Sequence, residues 1–372
     1  MMDSKIITAD NNYQSLDEWI KDKKKILLVC GDSIKYLKEF NRKMEYIAKP
    51  IIKFSDFQSN PLYESVVKGV KLFRKEKCDS IISVGGGSAI DVAKCIKLYA
   101  NQSGDGMDGA WLNAKCSINN IPFLVMPTTA GTGSEATRYA VIYYKGMKQS
   151  ITNSALIPDT VLMDPKSLRT LPLYQRKATM CDALSHAIES FWSINSNDIS
   201  REYSKIAIQS VLNHMDGYLN NTEDGNAGML QAAHVAGKAI NISQTTAGHA
   251  MSYMLTSLYG FSHGHAVALC LCELWRWMMN HTDMCMDIRG ASYLEKSFID
   301  ISAAMNKSSP IEAVDYFEDL IRRLSFTYPN ISQDEYPILV NSVNIERLNN
   351  NPIKLDQDVL NYLYHEIGRK CK

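Results

Sequence analysis

The chain has 372 residues, with 40 basic and 40 acidic side chains that cancel. That length holds two domains with cores of their own, and the balanced charge gives no electrostatic reason to expect nucleic acid or an anionic membrane as partner. Residues 1–10 lack the apolar core of an export signal, the longest apolar runs (26–30 and 266–272) are too short to span a bilayer, and nine scattered cysteines without a CxxC pair read as reduced thiols of a cytoplasmic protein.

Residues 25–30 (KILLVC) are a short apolar run that stops at Gly31-Asp32, the pattern of a buried strand followed by a turn. Residues 34–44 are polar with helical spacing, and 48–54 read as a second strand. Over 61–77, Leu62, Val66, Val67, Val70, Leu72 and Phe73 mark a helix that covers one face of a sheet. The next strand, 79–84, runs into Gly85-Gly86-Gly87-Ser88, and a helix follows over 89–99. Residues 121–126 form another buried strand, which stops at a Thr- and Gly-rich stretch, 127–134. Residues 137–144 alternate as a strand, and 160–163 supply one more. Strands alternating with helices imply a mostly parallel sheet with helices on both faces. After Pro172 helical periodicity takes over, so the expected boundary lies at 164–172, between an α/β domain over 1–168 and a helical domain over 169–372.

Two loops of the α/β part carry chemistry. At 85–88, glycines let the backbone approach a phosphate and the following helix offers free N–H groups. Ser88 is placed to cap that helix, with Asp91 three residues on. The loop 128–134 is rich in hydroxyls and glycine. Two such loops at consecutive strand ends suit a dinucleotide along the carboxyl edge of the sheet. The G-x-G-x-x-G fingerprint is absent, so this differs from the ordinary Rossmann first turn.

The helical part offers a candidate metal site. Asp182 and His186 stand four apart in a run without Gly or Pro, so on a helix they share a face. His249 and His263 are fourteen apart; one straight helix would separate them by roughly 21 Å, so the chain must turn between them, and Gly260 is the place for it. One carboxylate and three imidazoles suit Fe(II) or Zn(II). A D-x3-H pair and histidines beside an apolar run also describe a satisfied core, and spacing alone does not separate the two.

Residues 83–94 (SVGGGSAIDVAK), 126–137 (MPTTAGTGSEAT), 158–165 (PDTVLMDP), 182–189 (DALSHAIE) and 249–269 together resemble the iron-dependent alcohol dehydrogenase family, in order and in spacing. The resemblance implies an α/β plus all-α architecture of the dehydroquinate synthase-like kind: a Rossmann-like nucleotide-binding domain and a helical metal-binding domain. It implies Asp182, His186, His249 and His263 as ligands of Fe(II), with Zn(II) as the alternative. Gly86, Gly87, Ser88 and Asp91 would meet the cofactor pyrophosphate, Thr128, Thr129, Thr132, Ser134 and Thr137 would line the second loop, and Lys148 matches a cofactor-contacting lysine. The implied reaction moves hydride between NADPH or NADH and a small aldehyde or alcohol, with no nucleic-acid or membrane partner and a homodimer as the assembly to test. Gly31 stands where many NAD-specific relatives carry an aspartate; Asp32 is one residue late, so NADPH should be accepted.

One departure from the family pattern is Tyr253, at the position where many members carry a proton-relaying histidine. The proton must therefore come through Tyr253, His265, the cofactor ribose or water. Residues 249–269, with 238–241 before them, look most like the phosphonoacetaldehyde reductase branch, which implies reduction to 2-hydroxyethylphosphonate. A dianionic substrate needs a cation, and Lys238 is the candidate, with Ser252 or Asn241 as further donors. The alternatives are a broad-range primary alcohol or lactaldehyde dehydrogenase and a lyase resembling dehydroquinate synthase.

Overall fold

The computed structural model describes residues 4–10, 12–116 and 119–371; residues 1–3, part of the stretch read for an export signal, lie outside them. The chain forms two compact units, Met1–Leu171 with Asn221–His234, and Pro172–Asn220 with Val235–Lys372.

The first unit carries strands β1 (Lys5–Thr8), β2 (Ile26–Cys30), β3 (Ile51–Phe54), β4 (Ser80–Gly85), β5 (Phe123–Pro127), β6 (Tyr139–Tyr144), β7 (Met147–Thr152) and β8 (Thr160–Met163). Six of them form one parallel sheet in the order β1-β8-β5-β4-β2-β3. Helices α1 (Gln14–Ile20), α2 (Lys38–Glu45), α3 (Tyr63–Lys75) and α4 (Gly87–Tyr99) cover it. The uninterrupted apolar runs of the central strands follow from cover on both faces. Leu27, Val29, Ile81, Phe123 and Val125 pack with Val66, Val70, Ile90 and Ile96 of α3 and α4. Their neighbours Ile26, Leu28, Ile82, Leu124 and Met126 pack with Leu16, Ile20 and Phe40 of α1 and α2. From β2 the chain winds outward to β3, then from β4 back the other way through β5 to β8. The loops leaving β2 and β4 therefore diverge, which opens a crevice at the carboxyl ends of those strands.

Two elements differ from the sequence expectation. The alternating stretch 137–144 is a strand, but β6 pairs antiparallel with β7 in a separate hairpin. The turn at Lys145-Gly146, both at positive φ (49° and 75°), folds the chain straight back. Only Ala140 and Ile142 of β6 are fully buried, the pattern of a ribbon lying on a core rather than a strand within a sheet. The helix expected over 34–44 breaks at Leu37 into a 3₁₀ turn, Asp32–Tyr36, and α2.

Helices α5 (Leu173–Trp192), α6 (Asp198–Leu219), α7 (Glu223–Ser243), α8 (Ala247–Tyr259), α9 (His263–Met279), α10 (Ala291–Ala304), α11 (Pro310–Arg323), α12 (Glu335–Ser342), α13 (Ile345–Leu348) and α14 (Gln357–Arg369) make up the rest. The start of α7 packs with the first unit, where Glu223 pairs with Arg169 at 3.0 Å and His234 Nδ1 lies 3.4 Å from Glu135 Oε1. In the second unit α5 is the central element, packed on α6 and α9, while α8 packs on α9. Trp192 and Trp275 meet edge to face, 5.7 Å between centroids, and seal the far end of α5 against α9.

Gly264 sets how closely α9 approaches α5: a Cβ there would stand 2.0 Å from the Ala178 carbonyl oxygen and 2.7 Å from Asp182 Cβ. Backbone cannot yield as a flexible side chain can. Gly264→Ala should therefore cost about 1–3 kcal/mol of stability, read on the metal-free chain as a lower denaturant midpoint at unchanged slope.

Candidate metal centre and cofactor loops

Helix α5 begins after Pro172 and is buried along almost its whole second half. A polar stripe nevertheless runs along it: Asp182, His186 and Glu189, spaced at about one and two helical turns. Helix α8 closes at Gly260 in the left-handed region (φ 67°), the turn expected there, and α9 starts at His263. His249 enters from the first turn of α8 and His263 from the first residue of α9.

Ligand atoms of Asp182, His249 and His263 all lie within 4.8 Å of one another. Asp182 Oδ1 stands 3.6 Å from His249 Nε2 and 3.8 Å from His263 Nε2. Those separations are too long for hydrogen bonds. They are close to the spacing of donors sharing an ion: two atoms about 2.1 Å from a tetrahedral centre stand about 3.4 Å apart. Asp182 Oδ1 and His249 Nε2 are buried and have no hydrogen-bond partner, and leaving such groups unsatisfied is costly unless a cation sits among them. The donors therefore fit a divalent metal. His186 stands beside the three, its ring stacked on His249 at 4.4 Å and 18°.

The electrostatics agree. Burial alone would raise the Asp182 carboxyl, but the imidazoles around it, His186 foremost, hold it well below the usual carboxylate range. Burial would depress His249, yet the Glu189 carboxylate, with Asp182, drives it up to about 9. The pocket thus stabilises positive charge, carried by a proton or by a metal. Glu189 was not singled out from sequence. It is fully buried and accepts from the Thr246 hydroxyl at 2.9 Å, from the backbone N–H of Thr246 and His249, and from His249 Nδ1. The signal for it was an acidic residue seven positions after Asp182 in an otherwise apolar helix.

His265 is a correction. Its Nε2–H donates to the Thr327 carbonyl at 2.9 Å, and its Nδ1 bonds the Tyr174 hydroxyl at 3.0 Å. Its ring lies between Phe261 and Phe326, at 4.3 and 4.2 Å. Burial pushes it down to about 4. With both nitrogens engaged and the charged form disfavoured, it is a packed core residue with no proton to deliver. Tyr253 does reach the site: its ring lies parallel to His263, 5.7 Å away. Ser252 is also corrected, because its hydroxyl donates to the His249 carbonyl of its own helix at 2.9 Å. Lys238, half-buried on α7, holds its ammonium 5.1 Å from the Tyr203 ring centroid.

In the first unit, α4 starts at Gly87 with Gly86 as N-cap and no side chain capping it. Ser88 is therefore inside the helix, and the cap expected of it is corrected; the open N-terminus leaves the amides available to an anion. The two loops touch at the glycines: a Cβ on Gly86 would stand 3.1 Å from Thr129, and one on Gly87 3.1 Å from Thr132. Asp91 is also reassigned. It accepts from Ser134 Oγ at 2.7 Å and from the Val141 N–H at 2.9 Å, so it ties the second loop and β6 to α4; a carboxylate at that place would repel a phosphate rather than bind it. Ser134 is thereby engaged within the loop, and Thr132 Oγ1 accepts from the Ser134 N–H at 3.2 Å. Thr137 is engaged too, with the buried Lys94, whose ammonium donates to Thr137 O at 2.7 Å, Thr137 Oγ1 at 3.1 Å and Tyr139 O at 2.7 Å. Thr128 is buried next to these. Burial raises the Asp91 carboxyl, and Lys148, which faces Tyr143 across the hairpin on β7, is one of the charges that oppose that rise. Gly31 follows β2 with nothing within 4 Å of where a Cβ would stand, and Asp32 opens the exposed 3₁₀ turn.

Residues 3–165 match the family described as iron-containing alcohol dehydrogenase, and residues 177–368 the C-terminal region of the Fe-containing alcohol dehydrogenase family. The chain is 28% identical over 333 residues to a phosphonoacetaldehyde reductase of Streptomyces viridochromogenes, which covers 85% of this chain and 82% of that protein. It is 33% identical over 228 residues to alcohol dehydrogenase 4 of Schizosaccharomyces pombe, covering 60% of this chain and about half, 54%, of that relative's length. In fold it is similar to a sulfoacetaldehyde reductase from Bifidobacterium kashiwanohense solved with NAD+, with a TM-score of 0.86, 24% identity, and 99% and 98% of the two chains covered.

Burial pulls the Lys94 ammonium down to about 8 from its ordinary 10.5, against the opposing pull of Asp91 and Glu135. Between those two pH values the unfolded lysine binds its proton more tightly than the folded one, so stability should rise with pH there. Denaturant titrations of wild type and Lys94→Met across that interval check the sign. Parallel curves would show that Lys94 does not titrate as a buried ammonium.

Proposed function

The chain belongs to the iron-containing alcohol dehydrogenase family, and we propose that it reduces a small aldehyde with NADPH or NADH, its preferred substrate being phosphonoacetaldehyde and its product 2-hydroxyethylphosphonate. The observation that carries the oxidoreductase reading is the trio Asp182, His249 and His263, whose ligand atoms lie within 4.8 Å of one another, with Asp182 Oδ1 and His249 Nε2 buried and lacking a hydrogen-bond partner. Together with the adjacent His186 they would hold iron(II), zinc(II) being the alternative for the same donors.

When bound, the ion supplies Lewis acidity toward the carbonyl and the reduced nicotinamide supplies the hydride. The chain's residues orient and neutralise. His263 is the ligand open to solvent, with its side chain 36% exposed, so substrate access lies on its side. Tyr253, stacked on that ring, is the candidate donor of the proton that the product alcohol needs. The uncapped N-terminus of α4, with Gly86, Gly87, Thr128 and Thr129, is the seat for the cofactor pyrophosphate. The absence of an acid at Gly31 leaves room for a 2′-phosphate.

Lys238 is the cation assigned to the phosphonate. A charge-assisted hydrogen bond is worth about 1.5–3 kcal/mol, roughly a 10- to 100-fold effect on kcat/KM. A second reading, reduction of uncharged aldehydes, is favoured by the placement of the Lys238 ammonium over Tyr203. A lyase of the related fold would return its NAD unchanged, so net oxidation of NADPH or NADH excludes it.

Removal of metal by a chelator should abolish activity, and iron(II) should restore it. His263→Ala should lose metal and activity together; full metal content in that variant would sink the ligand assignment. Lys238→Ala should lose 10- to 100-fold in kcat/KM on phosphonoacetaldehyde with propionaldehyde turnover unchanged. Equal effects on the two would leave the uncharged-aldehyde reading.

A further inference from the structure

We propose that Glu189 is the positioning residue of the metal centre: by accepting the Nδ1 proton of His249 it fixes the imidazole as the tautomer whose bare Nε2 faces the ion. This rests on the metal-dependent reading above. The argument is one of valence. An ionised carboxylate only accepts hydrogen bonds, so the bond between Glu189 Oε2 and His249 Nδ1 places the proton on Nδ1. When an ion takes the place of the second proton, the imidazole keeps one N–H, the one Glu189 holds, so Nε2 offers the ion its lone pair. Nε2 is the nitrogen that has no hydrogen-bond partner and stands 3.6 Å from Asp182 Oδ1.

Two further observations point the same way. Glu189 is 0% exposed, and among the described residues its ion-pair partner is His249, with no lysine or arginine. A buried carboxylate so placed needs its charge balanced through the imidazole. Gly248 supplies the room: a Cβ there would meet Glu189 Oε1 at 2.7 Å and Cδ at 3.5 Å. The position before His249 is therefore one where any side chain would push the carboxylate away from the ring. Holding a ligand histidine through its second nitrogen is how proteins set both the ring orientation and its basicity toward a metal.

Glu189 also accepts from the backbone N–H groups of Thr246 and His249 at the start of α8, so a plain helix cap is the competing account. Metal affinity in a folded chain separates the two. Cobalt(II) serves as the probe, its dissociation constant read by chelator competition and its coordination by visible absorption. Thermal unfolding of the metal-free proteins reports the capping contribution. Glu189→Gln should weaken cobalt binding about 10- to 100-fold and alter the absorption bands. Gly248→Ala, which displaces the carboxylate without removing it, should do the same, and it keeps the test in hand if Glu189→Gln does not fold. Cobalt affinity and spectrum equal to wild type in either folded variant, with only the metal-free unfolding temperature lowered, would reduce Glu189 to a helix cap and overturn the inference. Failure of the wild-type chain to bind cobalt would instead overturn the functional reading itself.

Discussion

Asp182 is a carboxylate with almost no access to water, and one of its oxygens has no hydrogen-bond partner. Much of the second unit can be understood as the arrangement needed to keep that oxygen where it is. Three helices must bring donors to within a few ångströms of it, and each solves the problem locally. Helix α5 supplies Asp182 and His186 by helical period alone. Helix α8 brings His249 from its first turn, where Glu189 holds the backbone and the ring together. Helix α9 comes close enough to place His263 because Gly264 offers no side chain to the α5 backbone. Remove the requirement for positive charge and this collection of buried polar groups has no reason to assemble, since burying them uncompensated costs more than packing apolar residues in their place.

The first unit meets a similar constraint with a different device. A loop meant to lie against a phosphate must be both close and rigid. Gly86 and Gly87 provide closeness, because Thr129 and Thr132 pack where their side chains would have been. Rigidity comes from two charged residues one helical turn apart on α4: Asp91 takes hold of Ser134 and Val141, and Lys94 of Thr137 and Tyr139. Each buried charge offsets part of the other's desolvation. Several hydroxyls that resemblance assigns to the cofactor are engaged in holding the loop, and the backbone amides of α4 are left facing outward.

The strands of the main sheet were readable because burial on both faces writes an unbroken apolar run into the sequence, and β2, β4, β5 and β8 each carry one. The edge strand β1 escaped notice: four residues paired on one side only leave little pattern. Residues 137–144 read as a strand, but alternation reports a half-covered ribbon without saying what it pairs with, and its hairpin partner β7 carries no such signal. In the site, donor types and spacing make Asp182, His186, His249 and His263 candidates, and it is the family resemblance that implies them as ligands. The supporting residues Glu189 and Lys94 lay inside the same motifs unassigned, because their roles depend on partners dozens of residues away, Thr246 and His249 for one, Thr137 and Tyr139 for the other.

His263 and His265 show where the division falls. The sequence by itself determined that an apolar helix with histidines at its start follows a glycine turn, and that a carboxylate and imidazoles of the right number lie nearby, since periodicity and donor chemistry are properties of neighbouring residues. It could not choose between two histidines two positions apart. On a helix they point about 200° away from each other, so only one can face Asp182. Which one depends on the face that α9 turns to α5, and that face is set by Gly264, lying between them, against the Ala178 carbonyl. The tertiary structure thereby set His263 beside Asp182 and His249 and closed His265 between Phe261 and Phe326, a choice made by a helix contact that the local sequence does not encode.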